Sequence, residues 1–409
     1  MCRWITLLSS SHPVSLADIV LSPSNSLVQL SKDASFHPGM TEMNNHVMNG
    51  DGFGVGWFHN NSPVGEINGH SGSVNGEGKN NNSNNNNSDE DHFVALFKDT
   101  RPAWNNANLK ELCMAVKSKC VVAHVRAASA FAGVISEQNC HPFKAGRLLF
   151  CHNGRIDFFN SIRRRIKAQM NDEAFLHVQG TTDSECIFGL ILTFLSDDEV
   201  DGKKVSAFQQ KEPFGAKRLQ HAIKKALRAI QHTLVDAGID TGYSTLNFCL
   251  TDGDTVVVTR YCDKSPQVPP PSLYFAYGNA AKLAHEMVAE DAILDEQQSD
   301  SEKKDSDSQS VVSDSVSDFH VHPICLDCHV SMPGVNLNEV DPAQAIFCVA
   351  SCPLTRTHSW HPMPQNSIMW CTKGSFPEMH LLKFRHKREA EDHHGEKSVS
   401  KKTRVAHGK

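Results

Sequence analysis

Between positions 59 and 91 the chain offers almost nothing that a core could bury. Residues 80–87 are Asn throughout except for Ser83, and Gly, Ser and acidic residues flank them. A second stretch, 288–318, is rich in Ser, Asp, Glu and Gln, and the segment after Phe384 is rich in Lys, Arg and His. Chain of this composition cannot recover, through apolar burial, the conformational entropy lost on ordering, so all three stretches are expected to be disordered. They also account for a hydrophobic share of only 39% in 409 residues. The folded part is therefore smaller than the chain and must be assembled from segments on both sides of two insertions. The expected division is an N-terminal domain over 2–287 interrupted at 59–92, an acidic Ser-rich insertion over 288–320, strands over 321–383 that complete the fold, and a basic tail over 384–409.

Outside the polar tracts the periodicities are clear. Residues 2–8 read as a short strand. Residues 16–21 (LADIVL) read as a helix stopped by Ser22-Pro23-Ser24, and 24–30 are apolar enough to pack. Gly50, Gly52, Gly54 and Gly56 alternate with Asp51, Phe53 and Val55. In a strand that spacing lets another backbone or a ligand approach closely, and no GK[ST] follows to make it a phosphate loop. The β-branched run 120–126 (CVVAHVR) predicts a buried strand, and 147–151 (RLLFC) another that ends in His152-Asn153-Gly154. Residues 157–170 predict a basic helix with Phe158, Phe159, Ile162 and Ile166 on one side. Thr182-Asp183-Ser184-Glu185 forms a capping box that opens a helix through Leu195. Leu219, Ile223, Leu227, Ile230 and Leu234 mark an amphipathic helix over 216–237, with Gly238 at its C-terminal cap. Residues 245–250 and 255–261 flank Asp252-Gly253-Asp254 as a hairpin, and strand-like segments recur at 272–277, 344–350 and 367–371. Strands first, helices in the middle and strands again give an α+β pattern in which helices cover mainly antiparallel sheets.

Four features carry chemistry. Removal of Met1 would leave Cys2 with both a thiol and a free α-amine, a nucleophile with its own base, because such an amine titrates near ~8. A nucleophile attacking an amide needs oxyanion donors and grips for the charged ends of its substrate. Asn153 and Gly154 offer a side-chain amide and a backbone N–H. Arg126, at the end of a buried strand, can hold a carboxylate in two-point fashion. Asp183, in the first turn of its helix, suits the helix dipole and can bind an ammonium group. Each has a bland alternative when taken alone: a chance second-position Cys, a His-Asn-Gly turn, a structural ion pair, a helix start.

Met-Cys at the start, HVRAAS, HNG and TTDSE, in that order and each at an element end, together resemble the class II glutamine amidotransferases, N-terminal-nucleophile hydrolases with an αββα sandwich. The resemblance runs from Cys2 to about Gly278. The DGFGVGW run, LADIVLSPSNSL and LTDGDTVVVTRY resemble a stand-alone branch of that family, which includes an amidotransferase-like subunit of a glutathione-degrading complex; a γ-glutamyl hydrolase of ergothioneine synthesis looks similar. The resemblance implies that Cys2 is the nucleophile and that Asn153 and Gly154 stabilise the oxyanion. It implies that Arg126, helped by Ser129, holds the α-carboxylate of a glutamyl group and Asp183 its α-ammonium, with Asp51 and Gly52 lining the pocket. No cofactor and no metal are implied. Cys352 stands where the branch usually carries Glu, which bears on the C-terminal segment and not on the catalytic core.

The remaining signals exclude more than they suggest. A net charge of −6 gives no reason to expect nucleic acid. No run approaches the ~20 apolar residues of a membrane span, and no basic segment precedes the apolar start, so a signal peptide is not expected. Thirteen Cys with no export signal read as reduced cytosolic thiols. Cys325-Leu326-Asp327-Cys328-His329 matches a haem-attachment pattern by chance. A structural zinc on Cys325, Cys328, Cys348 and Cys352, with His320, His322 and His329 nearby, is the weaker alternative to buried thiols. The expected protein is a cytoplasmic amidohydrolase that cleaves the γ-glutamyl bond of glutamine, glutathione or a related small compound, with a peptidase-like partner subunit. The rivals are an ammonia-donating subunit for a separate synthetase and a non-catalytic scaffold. Intact mass of the protein from its native source separates the last of these: loss of Met1 is expected, and a retained Met1 would leave the scaffold reading.

Overall fold

A computed structural model describes residues 2–34, 48–59, 93–127, 134–200, 202–279, 339–355 and 359–383. Of the first stretch expected to be disordered, 59–92, His59 instead ends a strand (Phe53–His59) and the rest lies outside the described residues, as do 288–318, the tail after Phe384, Met1, Ser129, Cys325 and Cys328. The principal strands are β1 (Arg3–Ser9), β2 (Phe53–His59), β3 (Phe93–Asp99), β4 (Cys120–Val125), β5 (Phe143–Ala145), β6 (Leu148–Arg155), β7 (Thr245–Thr251), β8 (Thr255–Arg260), β9 (Tyr274–Asn279), β10 (Ala345–Ala350), β11 (His361–Pro362), β12 (Ser367–Thr372) and β13 (Glu378–Leu381). The helices are α1 (Ala17–Val20), α2 (Leu27–Lys32), α3 (Ala107–Ala115), α4 (Phe159–Lys167), α5 (Asp172–His177), α6 (Asp183–Asp197) and α7 (Gly215–Asp236).

Two antiparallel sheets follow. The first has seven strands in the order β11-β9-β10-β1-β4-β2-β3, and the second has six in the order β13-β12-β8-β7-β6-β5. Strict alternation sorts their side chains into three cores. Trp4 and Leu8 of β1, Val122 of β4, Leu149 and Cys151 of β6, Val256 and Val258 of β8 and Phe347 of β10 meet between the sheets. Ile5, Leu7, Val55 and Val121 face outward onto α1, α2 and α3. Phe150, Phe248 and Leu250 face outward from the second sheet onto α4, α6 and α7, where Leu219, Ile223, Leu227 and Ile230 pack. Helix, sheet, sheet, helix is the αββα sandwich that the resemblance implied.

Local signals and structure agree closely in several places. The hairpin pairs Cys249 with Val258, Leu250 with Val257 and Thr251 with Val256. Ser26 caps α2 by accepting the Gln29 N–H at 3.3 Å. Three expectations need correction. Strand β6 does not stop at His152 but runs on to Arg155, because Asn153 and Gly154 keep pairing, with Asn247 and Leu246. The basic helix is shorter than 157–170: Phe158 takes a left-handed conformation (φ 53°) before α4 begins, its ring is exposed, and Ile162 and Ile166 carry the buried face. The capping box is half made. Thr182 accepts the Glu185 N–H at 3.2 Å, but Glu185 reaches back to the N–H groups of Gln179 (3.0 Å) and Gly180 (2.6 Å). Segments 93–99, 107–115 and 172–177, which the periodicity left unassigned, are β3, α3 and α5.

The alternating glycines have a steric explanation. The segment Cys140-His141-Pro142 crosses the inner face of β2 in contact with it. A Cβ on Gly52 would stand 2.6 Å from Cys140 Sγ, one on Gly54 would overlap the His141 carbonyl, and one on Gly56 would lie 3.1 Å from Pro142 Cγ and 2.8 Å from Leu149 Cδ1. Three successive residues of one segment thus use three alternate glycines of the strand, as close backbone approach requires. Gly54→Ala is expected to lower the unfolding free energy by about 1–3 kcal/mol through overpacking, read as a lower urea midpoint at unchanged slope. An unchanged midpoint would mean that the crossing segment yields freely.

Candidate active site

Register and alternation bring Cys2, Arg126 and Asn153 to one edge of the inter-sheet space. In β1 the even-numbered residues Trp4 and Leu8 face the opposite sheet, so Cys2, one step before Arg3, falls on that side. Arg3 pairs with Val125, which sets Cys2 beside Arg126. In β4, Cys120 and Val122 face inward, so His124 and Arg126 share that face. In β6, Leu149 and Cys151 face inward, and Asn153 follows on the same side.

Cys2 is half-buried. Its Sγ accepts the Ala127 N–H at 3.4 Å and lies 3.6 Å from the Ala127 carbonyl. Desolvation pushes the thiol pKa up, and the Ala127 N–H and the Arg126 guanidinium pull against that rise. The thiol is therefore mostly protonated at neutral pH, and a nucleophile of this kind needs a base. Arg126 is itself buried. Its N–H donates to the Gly52 carbonyl at 2.9 Å, and its carbonyl accepts the Asp51 N–H at 3.1 Å, so Asp51 and Gly52 are pinned against it. Gly52 has φ +111°, a conformation that glycine adopts at no steric cost.

Asn153 is 2% exposed, and its Nδ2 has no acceptor among the described residues. A buried donor left without a partner costs about 1–3 kcal/mol, so this N–H group can take an additional acceptor. Gly154 (φ +150°) is where β6 presses on β7: a Cβ there would overlap the Thr245 carbonyl. Asp183 sits behind this strand. Its Oδ2 accepts the Ile156 N–H at 2.7 Å and its Oδ1 the Ser184 N–H at 2.7 Å, so the carboxylate also performs the helix-start role that its position suggested. His152 completes the arrangement, with Nε2 3.1 Å from the Thr245 carbonyl and Nδ1 2.9 Å from Ser184 Oγ. A carbonyl only accepts, so Nε2 carries the proton, and burial keeps the ring neutral by lowering its pKa.

Sequence reasoning missed two groups. His124 Nε2 and His141 Nδ1 lie 3.0 Å apart. Desolvation draws His124 down to about 3 and His141 well below the ordinary value, so this buried pair is neutral. The alternation in CVVAHVR, which puts His124 on the face of Arg126, was the available signal. Asn139 was the other omission, and no local pattern marks it. Ser129 lies outside the described residues. Cys348 is buried in the helix-side core and Cys352 is raised to about 11 by burial against the pull of Arg3. No group of three metal-ligating side chains is assembled among the described residues. An open groove of about 730 Å³ lies elsewhere, between α4 and α5, lined by Arg163, Arg164, Lys167 and Phe175.

Because burial raises the Cys2 pKa, its alkylation by iodoacetamide is expected to accelerate with pH from 7 through 9 without levelling off. Arg126→Met should shift that curve to higher pH, since it removes a cation that favours the thiolate. Peptide mass spectrometry at position 2 reads both, and a pH-independent rate would contradict the desolvated thiol.

The sequence profile of the class-II glutamine amidotransferases matches residues 29–268. That span contains Arg126, Asn153 and Asp183 but begins after Cys2. The chain is 34% identical over 283 residues to "Probable glutamine amidotransferase DUG3" of Saccharomyces cerevisiae, covering 68% of this chain and 69% of that one. It is 28% identical over 158 residues to a gamma-glutamyl-hercynylcysteine sulfoxide hydrolase of Mycolicibacterium smegmatis, covering 38% of this chain and 52% of that one. Among solved structures, a glutamine aminotransferase class-II domain protein from Silicibacter pomeroyi superposes with a TM-score of 0.47 at 17% identity, covering 93% of this chain and 98% of that one. With a profile that spans well over half of the chain and a relative matched across two thirds of both lengths, this chain belongs to the class-II glutamine amidotransferases.

Proposed function

We propose that this enzyme hydrolyses the γ-glutamyl amide bond of glutamine, glutathione or a related small γ-glutamyl compound through a thioester on Cys2. The observation that carries the reading is the buried Asn153 side chain, on the inner face of the sheet opposite Cys2 and Arg126, whose Nδ2 has no acceptor among the described residues. After Met1 is removed, the Cys2 α-amine accepts the thiol proton, and the sulfur attacks the γ-carbonyl carbon. The resulting oxyanion takes hydrogen bonds from Asn153 Nδ2 and the Gly154 N–H. Collapse expels the amine, which leaves with the transferred proton, and the glutamyl group stays on sulfur. Water then attacks the thioester and releases glutamate, restoring the thiol. Arg126, with Ser129, holds the α-carboxylate, and Asp183 holds the α-ammonium, while the Asp51-Gly52 backbone lines the pocket. The raised thiol pKa supports the need for the adjacent amine.

The hydrolase named among the relatives supports a γ-glutamyl head group. The resemblance to the stand-alone branch supports a place in glutathione breakdown beside a peptidase-like partner subunit. Cytoplasmic residence belongs to the same proposal; the described residues include no helix long and apolar enough to cross a membrane. The division of the chain at 287, 320 and 383 is proposed on composition.

Glutamate release from glutamine and from glutathione tests the reading. Cys2→Ala should abolish it. Asn153→Ala should lower kcat about 10²–10³-fold, the usual cost of one oxyanion donor. Activity that survives Cys2→Ala would overturn the mechanism. Glutamate release that rises only when an acceptor synthetase is added would favour the ammonia-donating role.

A further inference from the structure

Asn139 is 1% exposed and ends the short turn Glu137–Asn139. Its side-chain amide makes three hydrogen bonds, using both N–H donors and the oxygen. Nδ2 donates to the Val134 carbonyl at 2.7 Å and to Thr181 Oγ1 at 3.1 Å, and Oδ1 accepts the Thr181 N–H at 2.9 Å. The two sides of this clamp lead to different elements. The Val134 carbonyl also accepts from Arg126 Nη1 at 3.5 Å. Thr181 stands two residues before Asp183, and Thr182 between them caps α6.

The clamped turn has little slack. The Glu185 carboxylate accepts the N–H groups of Gln179 and Gly180. A Cβ on Gly180 would overlap Asn139 Oδ1 and stand 2.6 Å from Glu185 Oε2. A shift of Asn139 therefore moves the Val134 carbonyl, which meets the Arg126 guanidinium, relative to the helix start that carries Asp183. The charged ends of an α-amino acid are held a fixed distance apart, so grips for both must keep a matching separation.

We propose that Asn139 is a positioning residue that sets the separation of the Arg126 guanidinium and the Asp183 carboxylate, and so the selectivity for a substrate bearing both an α-carboxylate and an α-ammonium. The proposal rests on the roles given to Arg126 and Asp183 under Proposed function. Asn139 touches neither the thiol nor the reacting carbonyl. Its loss acts on binding of the head group, leaving the chemical step nearly intact.

Steady-state kinetics of the full-length protein test it, with glutamine and with glutaramate, which has the same amide and carboxylate but no α-ammonium. Asn139→Ala is expected to raise KM for glutamine about tenfold with kcat within about threefold. The kcat/KM preference for glutamine over glutaramate should shrink by a similar factor. A merely structural defect would lower both substrates alike and leave the preference unchanged, which would overturn the proposal. Thr181→Val removes one exposed acceptor of the clamp, and a KM two to three times higher is expected. Should Asn139→Ala fail to fold, this variant decides alone, an unchanged KM overturning the proposal. Arg126→Met and Asp183→Asn serve as references. If neither changes KM, the reading of the grips fails and the proposal with it; if both do and the clamp variants do not, the proposal alone fails.

Discussion

The site depends on the backbone pairing that holds Arg3–Ser9 in the middle of the seven-stranded sheet. A chain start ordinarily frays unless something ties it down. Here β1 is bonded along both edges, to Cys120–Val125 on one side and to Ala345–Ala350 on the other, and all seven of its residues are buried. The partners are about 120 and 340 positions away. Cys2 consequently stands immediately before a central strand held along both edges, on the side that faces the second sheet. The nucleophilic role proposed for Cys2 needs this arrangement, because a side chain at a mobile end would spend little time in line with a bound carbonyl.

The second constraint is electrostatic. The space behind the site holds many polar groups but few charges. His124, His141 and His152 are all kept neutral by desolvation, and the buried thiols of Cys140 and Cys151 are pushed up in the same way. Arg126 is buried beside these neutral groups. Arg3, on the helix side of the same sheet, is desolvated and lies near Cys352. At that position a thiol raised to about 11 stays uncharged near neutral pH, so the side chain there differs in charge as well as in size from a carboxylate.

The glycine run links fold and site. Gly52, Gly54 and Gly56 let Cys140-His141-Pro142 lie against β2. That crossing delivers Asn139 to the turn before Asp183 and His141 to His124. Removing three Cβ atoms from one strand is what allows a loop to carry polar groups into the space between two sheets. An ordinary alternating strand would fill that space with its own side chains.

Much of this was legible in the residues themselves. Short-range periodicity is a property of the chain, so 120–126 as a strand, 216–237 as a helix and the Asp252-Gly253-Asp254 hairpin could be read directly. Alternation even predicts that Arg126 and His124 share a face. The residue types at Cys2, Asn153 and Asp183 also stated what chemistry was available. The sequence could not say that β6 continues through Asn153 and Gly154, because that depends on 245–251 as a pairing partner. Nor could it distinguish a ligand from a protein segment as the occupant opposite the alternating glycines. Asn139 was invisible for the same reason: its partners at Val134 and Thr181 are set by tertiary contact, and an Asn in a polar turn carries no local mark of being buried. Local propensity, acting over a few residues, determined the elements and the chemical groups. Contacts between segments far apart in the chain decided which of those groups meet.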